Sequence, residues 1–455
     1  MIFAFQIFLL CTSCATTVEA GSSIQVALDA AVPGDTIVVM AGQYEPFVVE
    51  RSVTLQGVGR PEISSHVQTP GITVRAERAN ITGFKILGVP KDPTAKYSYF
   101  LESPSLTVLP EILALDLPNA GILVEADLVA IEDTAVYGAE VGILVEDGDL
   151  IVLRNDTFYG CGHGIELQGS DHNLIELCQF LDNDKYGIFL ENSSYAKLWN
   201  NNLTGTKNVG AMLKNSSGCA IEDSFFSTNW MGLVLWSSSN NRVQGNNANQ
   251  NYYYGMLITS QSNNNTIIEN NARENGGGAV SLFGIGISLQ ESFYNAILRN
   301  TLDKNFNGME LIDGSGWNVV SCNNISGNRN GIRLDKTHNN LIFRNNFERN
   351  FISASDNDSH NFWNTSVGNY FSDYSGSDDD CDGRGDQPYW IPKGSSCVAD
   401  WHPLTAQDSC EVPDLEMLRE DLLQYAIYSL KEDQPYSVEG GTIVIESRPP
   451  RSWGL

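Results

Sequence analysis

Positive charge is scarce in this 455-residue chain: Lys and Arg number 27 against 55 Asp and Glu, a formal net charge of −28. Phosphate contacts need cations, so nucleic acid and anionic membranes are disfavoured as partners. Such a balance suits cations and a saline or surface setting instead. Histidine is also sparse. The six lie scattered at His66, His163, His172, His338, His360 and His402, without ligand spacing. Met212, Met231, Met256 and Met309 mostly fall at strand positions, so copper is not expected. Past residue 20 there is no Cys-x-x-Cys pair and no uninterrupted apolar run of about 18 residues. Zinc, an iron–sulfur centre and a membrane-spanning helix are therefore not expected. Apolar stripes at helical spacing are missing through the middle of the chain, which excludes a helical repeat.

What the chain has in place of these is a repeat. Gly-apolar-variable-apolar recurs from Gly121 to Gly331, at Gly142, Gly164, Gly187, Gly210, Gly232, Gly255, Gly286 and Gly308 between them. The steps are 21 to 23 residues, with one of 31 that carries an insertion around Gly276 to Gly278. Asn241, Asn265, Asn295, Asn318 and Asn340 form a second column. A third runs through Asn246, Asn270, Asn300, Asn323 and Asn345, and a fourth through Asn251, Asn275, Asn305, Asn328 and Asn350. A period near 22 with two-residue alternation holds three short strands and three turns. It predicts an all-β, single-stranded parallel β-helix whose Asn columns are side-chain ladders.

The flanks divide the chain further. Residues 1–20 read as a secretion signal, with an apolar run from Ile2 to Leu10 and a Val18-Glu19-Ala20 cleavage-like site. Residues 21–88 hold an N-terminal cap helix from Ile24 to Ala31 and the first coils. Residues 89–118, rich in proline, are an excursion. The repeats occupy 119–370, a Gly/Asp/Cys segment 371–410, and an amphipathic helix from Leu415 to Leu430 leads the remaining 411–455. Nine Asn-x-Ser/Thr sites agree with export. Cys161, Cys178, Cys219 and Cys322 read as small buried fillers. A disulfide is expected among Cys381, Cys397 and Cys410, with Cys381–Cys397 the simplest closure.

Chemistry is expected in two places. Asp378, Asp380, Asp382 and Asp386 alternate around Gly383 as carboxylates do in an oxygen-rich calcium loop. Tyr389 stands where that loop usually closes with Glu, so closure must come from elsewhere. The outward side of the glycine strands carries Phe189 and Trp236 beside Glu166 and Glu191, with Tyr186, Trp230 and Tyr254 at the strand entrances. Flat aromatics next to carboxylates suit sugar rings. Glu166 and Glu191 on neighbouring rungs, about 8 Å apart, fall within the separation used by inverting glycosidases. The alternative is that the apolar part of this face is covered, by residues 89–118 or by the C-terminal helix.

The stretches Asn369-Tyr-Phe-Ser-Asp-Tyr-Ser-Gly-Ser-Asp, Asp382-Gly-Arg-Gly-Asp-Gln-Pro-Tyr, Ile391-Pro392 and His402-Pro-Leu404 resemble the C-terminal signature of NosD-like periplasmic copper-binding proteins, abundant among archaeal exported proteins. Ser23-Ile-Gln-Val-Ala-Leu, Pro33-Gly-Asp-Thr-Ile, Gly42-Gln-Tyr and Leu55-Gln-Gly resemble the opening of the same carbohydrate-binding and sugar hydrolase domain. The resemblance spans roughly residues 22–404. It implies a right-handed, pectin-lyase-like β-helix in an exported protein, with diverse functions among its members. The leading expectation is a calcium-stabilised carrier of polysaccharide or surface glycan, or a cell-surface scaffold. The alternatives are a polysaccharide lyase or hydrolase on the same face, and copper handling.

Overall fold

The computed structural model describes residues 15–89, 119–276 and 283–410, with the backbone of Tyr436–Glu439 and Thr442–Ile445. Most of the expected leader, nearly all of the excursion and the expected helix from Leu415 to Leu430 lie outside the described residues. Tyr436–Glu439 and Thr442–Ile445 pair as an antiparallel hairpin.

The fold is a right-handed parallel β-helix. One face is a 15-stranded sheet from Ala15–Val18 to His360–Phe362, here the first sheet. The second, the glycine sheet, has 13 strands from Phe47–Val49 to Ile352–Asn357. The third face holds six strands and then five, and single bridges through Asn202, Phe225 and Asn247 span the gap. Inward residues stack in register: Ile143, Ile165, Ile188, Ala211, Leu233 and Met256 succeed one another rung by rung, all fully buried. Alternation places every second side chain inside, which is why an apolar-variable-apolar motif suffices to build the core.

The glycines are required by closeness. A Cβ on Gly187 would stand 2.6 Å from the Gly210 carbonyl oxygen and 2.8 Å from Leu203 Cδ2. Backbone therefore meets backbone at this corner on successive rungs. Elsewhere a glycine bends the chain. Between Asn80 and Leu87 the chain forms two strands, Asn80–Thr82 and Lys85–Leu87, parted by Gly83 at φ +82°.

All three asparagine columns are ladders, one per corner. Asn300 Oδ1 accepts from Asn270 N at 2.9 Å, and Asn300 Nδ2 donates at 2.9 Å to Ile267 O and at 3.0 Å to Asn323 Oδ1. The same pattern runs through Asn246, Asn270, Asn323 and Asn345 to Asn369. A serine ladder, which the sequence reading missed, runs through Ser170, Ser193, Ser216, Ser238 and Ser262. Its signal was present, because those serines keep the rhythm of the glycines.

Both ends are closed. At the first, helix Ile24–Ala30 packs Ile24 and Leu28 inward, and Ser23 caps it by accepting from Val26 N at 3.4 Å. Ala15–Val18 lies beyond it as an edge strand with Val18 buried, so cleavage after Ala20 would remove that strand. At the other end, residues 371–410 fold back on the last rungs. Lys393 pairs with Ser355 and Leu404 with Tyr370. Asp400, fully buried, ends the asparagine ladder by accepting from Asn369 N at 2.6 Å and Nδ2 at 3.0 Å.

The cysteine expectation needs correcting. Cys410 bonds Cys322, 88 residues away, with Cα atoms 5.6 Å apart, while Cys381 and Cys397 are free and exposed. Cys322 is thus a fastening rather than a filler. It sits at φ +61° in a corner, which turns its side chain to the outside where residue 410 passes. Cys161, Cys178 and Cys219 are buried and free, as expected.

Candidate functional site

Outward positions of the glycine sheet bring the expected carboxylates onto neighbouring rungs. Glu166 lies opposite Phe189, and Gln168 opposite Glu191. Neither carboxylate is idle. Glu166 Oε2 lies 2.6 Å from His163 Nδ1, and Oε1 accepts from Gln168 Nε2 at 2.6 Å. Burial works against its ionisation, but the hydrogen bonds from His163 and Gln168 and the charges of His163 and Lys185 outweigh it. Its pKa is held below the usual glutamate range, so the proton in the His163–Glu166 contact sits on Nδ1. Glu191 Oε1 is paired with Lys214 Nζ at 2.6 Å. The two expected catalytic acids therefore have different partners.

Four of the five expected aromatics, Tyr186, Phe189, Trp236 and Tyr254, belong to or pack against one apolar cluster, and Trp230 does not. Tyr186 stacks on Phe189 with centroids 4.9 Å apart and meets the His163 ring edge-on at 5.0 Å. Burial, with Glu166 and Glu191 nearby, pushes the Tyr186 hydroxyl up to about 12. Phe189 and Tyr254 are buried in a cluster with Val209, Met212, Val234, Leu257 and Ile285. The apolar middle of the face is thus buried, while the segments expected to cover it lie almost entirely outside the described residues. Tyr254 Oη accepts from Gln290 Nε2 at 3.0 Å. Trp230 lies apart, stacked at 4.4 Å on Tyr252, which is 53% exposed.

Trp236 is partly buried and packs against the same apolar cluster as Phe189 and Tyr254. It stands between Lys214 and Thr259 in register. Directly beyond it opens a shallow recess lined by Ser237, Ser260, Gln261 and Glu291. Ser237 follows Trp236, and Ser260 follows Thr259 on the next rung. All four lining residues are left-handed, with φ between 48° and 61°. That corner conformation recurs along the coil, as at Asp147, Asn192 and Asn215 on earlier rungs, so it belongs to the fold and does not mark the recess. The sequence reading missed this recess because its residues lie one step past the strand alternation.

The acidic loop gathers three of its four expected ligands. Carboxylate oxygens of Asp378, Asp380 and Asp382 lie within 4.8 Å of one another. Asp386 turns elsewhere, accepting from Asp379 N at 2.8 Å and Ser377 Oγ at 3.1 Å. Asp378 also accepts from Gly383 N and Thr405 Oγ1. Among the described residues this is the one group of three or more His, Cys, Asp or Glu able to hold a metal ion. Its all-oxygen character suits hard cations such as calcium, and not copper, which prefers imidazole and sulfur. The histidines are dispersed: His163 is held by Glu166, His172 stacks on Tyr195, and His66 meets Glu45.

A family model described as "Periplasmic copper-binding protein (NosD)" matches residues 111–276 and 284–376, more than half of the chain. No curated protein sequence matches. Among solved structures, the A-module of the Azotobacter vinelandii mannuronan C-5 epimerase AlgE6 is similar at 15% identity and a TM-score of 0.54, over 75% of this chain and 95% of that one. The periplasmic alginate epimerase AlgG is similar at 14% identity and a TM-score of 0.47, over 76% of this chain and 82% of its own. At these identities the likeness concerns the fold, and the AlgE6 module is the one that carries it.

Proposed function

We propose, from the premise that the chain belongs to the NosD family of periplasmic proteins, that it is an exported β-helix that binds a neutral or weakly charged polysaccharide at the recess beside Trp236. The observation that carries this reading is the recess itself. Two serines, a glutamine and a glutamate line it, and Trp236 immediately precedes the first of them in the chain. Sugar recognition uses that combination: a ring face against an aromatic, and hydroxyls hydrogen-bonded around it. A formal charge of −28 favours neutral over polyanionic glycans. That the similar AlgE6 module belongs to a mannuronan epimerase favours a carbohydrate partner without naming it.

A second reading, a polysaccharide lyase or hydrolase, draws on the His163–Glu166 contact, since a carboxylate that orients an imidazole is how a general base is prepared. One experiment separates the two. Full-length protein is titrated against a panel of neutral and acidic oligosaccharides, and products are assayed for new reducing or unsaturated ends. Trp236→Ala is expected to weaken binding about tenfold or more, the loss of one aromatic–sugar contact, with no new ends formed. Binding unaffected by that change overturns the recess. Turnover that Glu166→Gln abolishes establishes the enzyme reading. We assign calcium to the Asp378–Asp380–Asp382 loop as a structural ion, with Asp386 outside its ligands. Copper does not fit the residues present, and no role is derived from it.

A further inference from the structure

In the corner between the first sheet and the third face, the asparagine side chains donate a hydrogen bond one rung back, whereas the shorter hydroxyls of Thr134 and Ser224 in the same column donate within their own rung, to Glu132 O and Glu222 O. Asn201 Nδ2 donates to Ile175 O at 2.8 Å, Asn246 to Ile221 O at 2.8 Å and Asn270 to Val243 O at 2.9 Å. At Cys178 the thiol does so, reaching Leu153 O at 3.7 Å. Ile131, Leu153 and Ile175 are successive members of one register column. The rung before Cys178 is Asp156, and the carbonyl it addresses by this progression is that of Ile131. Asp156 is fully buried. Its Oδ1 does what asparagine Oδ1 does elsewhere, accepting from Thr134 N at 2.9 Å. Its Oδ2, which stands where the asparagine rungs place a donor, has no hydrogen-bond partner.

An ionised carboxylate cannot fill that position, because it has no proton to give and would set oxygen against oxygen. Burying an unpaired charge is also among the costliest arrangements a protein can hold. We propose that Asp156 is a carboxylic acid in the folded protein and that its Oδ2 proton is donated to the Ile131 carbonyl, so the ladder contains one rung that is closed only while the proton is present. Electrostatics around it agree. Glu132 and Asp133 flank it on the rung before and Glu176 lies on the rung after, while Arg154 on its own strand is bound to both Glu132 and Glu176. Burial first, then the charges of Asp133 and Glu132, push the Asp156 pKa well above the ordinary range.

The sign follows from linkage. The folded pKa is raised, so the contribution is fully present below the unfolded value of about 3.9 and is lost as pH rises through the folded value. Within that window opening the rung releases one proton, so its equilibrium constant rises about tenfold per pH unit. The test uses the full chain with Asp156→Asn and Asp156→Ser, which install the donors this column uses elsewhere. Near neutral pH the infrared difference between wild type and Asp156→Asn is expected to show a protonated-carboxyl band that shifts in heavy water. Hydrogen exchange at the Thr134 amide, corrected for its intrinsic rate, is expected to steepen with pH in wild type and to lose that slope in both variants. If Asp156→Asn does not fold, Asp156→Ser carries the comparison. Absence of the acid band, or a Thr134 slope unchanged in the variants, overturns the proposal.

Discussion

A single asparagine in this fold satisfies three partners at once, and that makes each rung sensitive to one substitution. Asn300 is fully buried, and its amide meets Asn270, Ile267 and Asn323. Asn300→Ala leaves the Asn270 amide and the Ile267 carbonyl without partners in a dry corner. It is expected to cost about 1–3 kcal/mol of stability, measured by denaturant unfolding. A change near zero would mean that water replaces the side chain. The residue scale is also where the sequence was most readable. Asn300 and Gly187 recur because one corner geometry recurs, so their roles followed from position alone. Asp156 was not readable in that way. It is a carboxylic acid at a donor position, and only the register that places it above Ile131 reveals the mismatch.

Strands and their alternation told which side chains point outward, but not which of those remain open. Phe189 points outward and is nevertheless buried, because direction and exposure are separate properties of a sheet position. Trp236 keeps a polar recess beside it because the next residues are the hydroxyl-bearing corner positions Ser237 and Ser260. The disulfide was out of reach for a related reason. Cys322 and Cys410 approach only after the closing segment has folded back across the last rungs, and nothing in their spacing of 88 residues encodes that path. In the acidic loop the alternation of Asp378, Asp380 and Asp382 was legible, whereas the diversion of Asp386 to Asp379 and Ser377 depends on how the turn closes. With calcium bound there, chelation is expected to speed proteolysis within residues 378–386 by about tenfold while the coils stay resistant. Cleavage at the same rate in EDTA would remove the ion.

At the scale of the whole molecule, the core is a column of stacked rungs and the weak points are its ends. Asp400 closes one of them. It accepts from Asn369 N, Asn369 Nδ2 and His402 N, yet burial outweighs these donors and raises its pKa to about 7. Its contribution is complete below about pH 4 and fades as pH rises through about 7. Mild acidification from about pH 8 to pH 5 is therefore expected to make the closing segment harder to cleave, the reverse of ordinary acid denaturation. Limited proteolysis across that range checks it, and a segment that loosens on acidification would show that Asp400 stays ionised in the fold.

The long step between Gly255 and Gly286 has a meaning for how such molecules change. The strands on either side of it remain paired, Tyr254 with Ile285 and Met256 with Ile287, as if the extra residues were not there. Length in this architecture is a count of interchangeable layers, and decoration can be added between layers without disturbing their neighbours. A lineage built this way can lengthen its grip on a long ligand by duplication, and can retune that grip through the loops it hangs at the edges.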